Sequence, residues 1–253
     1  MTNYSDIPFR RNAVEPMTCL KGGWNLIKDQ YWLFVGMCFV GILVAGAVPF
    51  GILMGPMMCG IYMSFFMKRL GQPIEFGTLF KGFDHFGQSV IATLVHIVPI
   101  VIIIVPAYLI FYLGFFVTMA ASSSGGGNDA PDPTALFGFL GFMVVFWLAI
   151  VVVIIVISIL FTFSYPLIVD RRLQGMDAVK LSARAALANF WRLLGLSLLS
   201  GIMSFLGLLL CYVGAFFVMP IGYAALAVAY EQVFGLSNTP ARPNVPPPPP
   251  VFT

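Results

Sequence analysis

QYWLFVGMCFVGILVAGAVPFGILMGPMMCGIYMSFFM, residues 30–67, runs for 38 positions without a charged side chain. One helix of that length would extend about 57 Å at 1.5 Å per residue, nearly twice the ~30 Å hydrocarbon core of a bilayer. The stretch must therefore double back. Ala47-Val48-Pro49-Phe50-Gly51 supplies the turn, because proline and glycine interrupt helical hydrogen bonding there. Two short spans are predicted, 31–48 and 51–68.

The same pattern recurs near the C-terminus. Another 38 uncharged residues separate Arg192 from Glu231, with a turn expected at 211–214 and spans at 192–211 and 214–233. Between the two pairs lies a long apolar segment, 87–118, containing Pro99 and Pro106. The stretch ASSSGGGNDAPDP, 121–133, offers nothing apolar to bury and reads as a flexible loop. Residues 134–169 are apolar again, and 142–165 contain neither glycine nor proline, so one long tilted helix is expected. Its β-branched run, 151–157, would suggest a strand in water. In lipid a lone strand leaves its backbone unsatisfied, so helix is favoured.

Composition agrees with a lipid environment. Of 253 residues 60% are hydrophobic and 9% charged, where about a quarter are charged in an ordinary soluble domain. A net charge of +3, with the basic residues scattered among hydrophobic spans, argues against nucleic acid as a partner. Cys19, Cys38, Cys59 and Cys211 form no C-x-x-C pair, so neither a disulfide framework nor a zinc site is indicated. The first thirty residues lack an apolar core of the kind a cleaved signal needs, leaving insertion to the first span.

Charge also gives the sidedness. With six spans, segments 1–30, 69–86, 170–191 and 234–253, together with the helix ends beside them, hold all thirteen Lys and Arg residues. The opposite side carries Asp129 and Asp132 and no positive charge. The positive-inside rule then places both termini in the cytoplasm. The expected fold is an all-α, six-helix membrane bundle over 1–237, followed by a Pro-rich tail, 238–253.

A shift of 159 residues aligns Met17 with Met176, Lys21 with Lys180, Trp32 with Trp191 and Gly36 with Gly195; Pro56 then pairs with Pro220 after a five-residue adjustment. Units 17–68 and 176–233 thus read as a parallel repeat flanking a central hairpin, 87–169. Each opens with an amphipathic helix: Met17, Leu20, Trp24, Ile27 and Tyr31 share one face, as do Met176, Val179, Ala183, Ala186 and Phe190. Both helices are expected along the cytoplasmic surface, anchored at headgroup depth by Trp24, Trp32 and Trp191.

Gly23-Trp24, Gly55-Pro56, Leu79-Phe80-Lys81-Gly82-Phe83, Asp177-Ala178, Ala188-Asn189-Phe190-Trp191 and the close from Pro220 to Tyr230 carry a resemblance over most of the chain. In these features the chain resembles bacterial multi-pass membrane families with no assigned function. The resemblance implies an inner-membrane protein and transfers no catalytic residue.

Candidate chemistry is sparse. Asp84-His85 are sequence neighbours and point in different directions on a helix, which suits a dyad poorly. His96 is the one ionisable side chain deep in a span, and such a group is a functional hypothesis by default. Ser89, Thr93 and His96 form one polar stripe; Ser158, Thr162 and Tyr165 form another with the same spacing on the antiparallel helix that follows. Facing each other, they would make a groove open to the cytoplasm for a lipid or small amphipathic solute. Plain interhelical hydrogen bonding is the alternative. No cofactor, metal or enzymatic activity is expected. The tail, with Pro240 and Pro243 through Pro250, is expected to be a polyproline helix available to a cytoplasmic protein partner. A membrane scaffold, assembly or envelope-homeostasis role is the leading expectation, and a carrier the second.

Overall fold

A computed structural model describes residues 7–48, 51–123, 133–209 and 213–237. Pro49 and Phe50 of the first turn, Cys211, most of the Ser/Gly segment and the Pro-rich tail lie outside the described residues. Those described form nine α-helices and no strand: α1 (Pro16–Ile27), α2 (Tyr31–Ala47), α3 (Met54–Arg69), α4 (Phe86–Ser123), α5 (Pro133–Phe161), α6 (Ser164–Arg171), α7 (Gly175–Ala188), α8 (Phe190–Leu209) and α9 (Val213–Phe234). A ten-residue 3-10 helix, Phe76–His85, leads into α4.

Five helical stretches among the described residues are long and apolar enough to cross a membrane: Pro16–Ala47, Phe76–Ala120, Phe137–Arg171, Phe190–Leu209 and Gly214–Phe234. This is a multi-pass helical membrane protein. Helix α3 differs from these five. Its 16 residues span about 24 Å, short of a ~30 Å core, and protein surrounds it from Gly55 through Phe66 almost without a break.

The chain divides into two compact units, Met1–Val95 with Ile159–Thr253, and His96–Ser158. In the larger unit α1, the 3-10 helix and α7 pack on α9, α3 and α6 respectively. Helix α1 lies on α9, where a Cβ at Gly23 would collide with the backbone of Ala224 and Ala225. The 3-10 helix lies on α3 in the same manner: a Cβ at Gly82 would strike the Pro56 carbonyl and the Gly60 amide nitrogen. Only glycine permits so close an approach of two backbones. The α9 contact falls four and five residues beyond Pro220, and the α3 contact spans Pro56 to Gly60. Between helices in lipid, such close fitting rather than exclusion of water drives association.

Helix α7 packs on α6, and the join explains why 134–169 is divided. The helix breaks at Thr162–Phe163, since Pro166 has no N–H to give and its ring crowds the carbonyl four residues earlier, that of Thr162. Ser182 of α7 fills the gap, its hydroxyl donating to the Leu160 carbonyl (2.7 Å) and accepting from the Phe163 N–H (3.1 Å). Each short helix thus rests on the helix that closes the preceding hairpin, and α1 closes the series on α9.

Ion pairs and caps gather helix ends at one end of this unit. Arg69 at the close of α3 grips Glu231 near the close of α9 (2.8 Å), and Lys68 donates to Gln30 at the start of α2 (3.2 Å). Arg171 at the end of α6 donates to the Phe234 and Gly235 carbonyls (3.1 Å each), giving α9 a cationic cap where its dipole is negative.

The smaller unit, His96–Ser158, pairs the parts of α4 and α5 that fall within it. Tyr108 and Phe111 meet Trp147 with ring centroids 5.1 and 6.5 Å apart, and Gly114 makes room for Phe139. Ala107, Met143 and Ile150 are its buried residues. Most other large side chains point outward, including Ile102 (65% exposed), Leu113 (68%) and Phe137 (71%). A water-soluble surface rarely carries so continuous an apolar area. Helix α4 runs unbroken through Pro99 and Pro106, which transmembrane helices tolerate.

Candidate functional site

The polar stripes on α4 and α5–α6 divide between the two units. Ser89, Thr93, Thr162 and Tyr165 belong to the larger, and His96 and Ser158 are the first and last residues of the smaller. Within the larger unit the structure brings Thr93 and Tyr165 together, their hydroxyls 3.0 Å apart. Thr93 also reaches the Ser89 carbonyl (2.8 Å), and Ser89 turns its hydroxyl back to the Phe86 carbonyl (2.9 Å). Gly55 of α3 closes this cluster, because a Cβ there would lie 2.5 Å from the Ser89 carbonyl oxygen and 2.6 Å from the Thr93 hydroxyl. Ser89, Thr93 and Tyr165 are all buried, whereas Thr162 is half-buried. His96 is half-buried and Ser158 exposed within theirs.

Chemically, this cluster can hold helices in register. Its polar groups are hydroxyls, with the Cys59 side chain of α3 against Ser89. No group of three or more metal-binding side chains occurs among the described residues. The packed part of the stripe resembles the interhelical hydrogen bonding common in bundles.

Two polar clusters carry more of the structure than the sequence signalled. Asn189, at the end of α7, is buried and holds the N-terminal segment by its amide: its oxygen accepts from the Ala13 N–H (2.9 Å), and its nitrogen donates to the Arg10 and Ala185 carbonyls (3.1 and 2.9 Å). Arg192 adds a bond to the Val14 carbonyl (3.2 Å), and the Arg10 N–H reaches Val233 on α9 (2.9 Å). The second cluster centres on Asp170, its side chain 6% exposed. It pairs with Arg171 and accepts from the Tyr230 hydroxyl (2.7 Å) and from the Ser237 amide and hydroxyl (3.0 and 2.8 Å). In sequence, Asp170-Arg171-Arg172 looks like an ordinary juxtamembrane charge run; only the fold reveals which carbonyls Arg171 caps.

The aromatic residues expected at headgroup depth are outward: Trp32 is 73% exposed, Trp191 79%, and Trp24 about half. Trp24, Tyr31, Trp32 and Phe217 form a chain of edge-on rings 5.6–5.8 Å apart, and the Tyr31 hydroxyl donates to the Phe217 carbonyl (2.6 Å). Such amphipathic rings suit the membrane–water boundary.

Comparisons with known proteins give no match to a family model, a curated protein or a solved structure.

Proposed function

We propose that this chain is a non-enzymatic component of the bacterial inner membrane that crosses six times, with both termini in the cytoplasm, and acts as a scaffold or assembly factor. The sixth crossing is α3, short in itself and jacketed by protein rather than lipid. Support for the sidedness comes from Lys68, Arg69 and Arg171, which gather helix ends at one end of the larger unit, as the positive-inside pattern requires.

The observation that carries the reading is where the polar groups point. Of the buried polar residues described, Ser64, Thr78, Ser89, Thr93, Ser182 and Asn189 each direct polar atoms at neighbouring backbone or another side chain, and Ser164 alone leaves its hydroxyl without a hydrogen bond. An interior used this way positions helices and offers little to a substrate. The Pro-rich tail gives a natural place for a cytoplasmic partner. The test compares the full chain with one ending at Thr239, both at equal membrane abundance. A scaffold acting through its tail loses its crosslinked neighbours on shortening; retention of all of them by the shortened chain refutes that role.

The second reading is a carrier or binder of a lipid or small amphipathic solute using the polar residues around His96. The depth of His96 in an apolar helix favours it. His96→Leu then abolishes function at unchanged abundance, whereas a parallel fall of both assigns His96 to packing.

A further inference from the structure

A cleft of about 490 Å³ opens between the N-terminal segment and α7, lined by Phe9, Arg11, Asn12, Arg184, Leu187 and Ala188. Its size falls in the range of small-ligand sites, roughly 300–1,000 Å³. The lining is mixed: two arginines and an asparagine beside a phenylalanine, a leucine and an alanine. The ion pairs among the described residues join Arg69 to Glu231 and Arg171 to Asp170, leaving Arg11 and Arg184 with no carboxylate partner among them.

The turn that presents Arg11 is fixed before any ligand arrives. Arg10 and Ala13, on either side of it, are both bonded to the Asn189 side chain, while Arg10 is also held by Val233 and Val14 by Arg192. Between these anchors the chain reverses through Arg11-Asn12, and Asn12 takes the left-handed conformation (φ 49°). Non-glycine residues hold that conformation at some cost, and the surroundings must over-determine it. Arg184 is carried by α7, whose other face is fastened to α6 through Ser182. Trp191, at the start of α8 just beyond the cleft's α7 wall, is the outward aromatic residue suited to the membrane boundary.

We propose that this cleft binds a phosphate group, with Arg11 and Arg184 as its paired cationic ligands, Asn12 as a further donor, and Phe9 and Leu187 as an apolar shelf beside it. Guanidinium groups match phosphate oxygens in pairs, which is why arginine rather than lysine is the fitting residue. The apolar shelf suits the glycerol and first methylenes of an anionic phospholipid headgroup; a free phosphate would use the arginines alone.

Native mass spectrometry of the detergent-purified full chain tests this with three probes: phosphatidylglycerol, phosphatidylcholine and inorganic phosphate. Preferential retention of phosphatidylglycerol by the natural chain, lost in Arg11→Gln/Arg184→Gln, establishes the lipid source. Retention of inorganic phosphate in place of lipid, lost in the same variant, establishes a soluble source. At the scale of about 1 kcal/mol per cation near an anionic surface, removing both arginines weakens binding about thirtyfold. Leu187→Asp, on an exposed position, places a carboxylate in the cleft and gives the same loss while both arginines remain. Equal retention of phosphatidylglycerol and phosphatidylcholine, lost together in the double variant, assigns recognition to the phosphodiester both share; retention of none of the three probes overturns the proposal. So does undiminished retention by the double variant or by Leu187→Asp.

Discussion

Gly82→Ala is the sharpest test of how the short helices are seated. The added methyl would overlap the Pro56 carbonyl and lie 2.5 Å from the Gly60 nitrogen and 2.9 Å from its Cα, where 3.4–4 Å is ordinary contact. All three obstacles are backbone of α3, which cannot rotate aside as a side chain would. The 3-10 helix must lift off, and overpacking of this kind costs about 1–3 kcal/mol, here at the upper end. Gly77, in the same 3-10 helix, supplies the control, since a Cβ there meets nothing within 4 Å. Gly77→Ala is therefore neutral or stabilising by about 0.4–1 kcal/mol through the unfolded chain. For a chain of this size ~1 kcal/mol moves the melting temperature by about 2–4 °C, so Gly82→Ala falls by about 6–12 °C. Thermal unfolding in detergent, followed by tryptophan fluorescence, measures both variants side by side. Indistinguishable melting temperatures for the two would refute the backbone contact between α3 and the 3-10 helix.

Asn189→Leu removes three hydrogen bonds and strands the Ala13 N–H and Arg10 carbonyl, for a loss of about 2–4 kcal/mol; faster proteolysis within residues 7–15 reports it, and unchanged cleavage contradicts it. Ser182→Ala leaves the Leu160 carbonyl and Phe163 N–H unsatisfied at the helix break and costs about 1–3 kcal/mol, read as a lower melting temperature. Tyr165→Phe deletes only the bond to Thr93 and costs about 0.6 kcal/mol, typical of hydrogen bonds within membrane bundles. A much larger loss in function than in melting temperature would assign that hydroxyl to ligand binding.

Helix content and the boundaries of the apolar stretches were legible because uncharged length is a strong signal in lipid. Residues 30–67 had to fold back whatever their tertiary contacts. The break at Thr162–Phe163 was not seen, although Pro166 was in plain view: its effect falls four residues upstream, in a stretch chosen for lacking proline. Spacing marks two polar stripes that can face each other, and the fold alone shows Thr93 meeting Tyr165. What spacing could not supply was the third helix, where Gly55 closes on that pair. Asn189 and Arg171 were equally opaque, because each acts on backbone far away in the chain, and a carbonyl 63 or 179 residues distant leaves no periodic trace.

The crossing pattern, on which both the sidedness and the short buried α3 depend, can be measured by labelling single cysteines in a cysteine-free chain with an impermeant maleimide. Positions 72, beyond α3, and 237, beyond α9, are the informative pair, with 126 as their counterpart in the Ser/Gly segment. Six crossings leave 72 and 237 protected in intact cells and reactive only after lysis, with 126 reactive from outside. Labelling of 72 and 237 from opposite sides of the membrane would contradict a bundle in which Arg69 reaches Glu231.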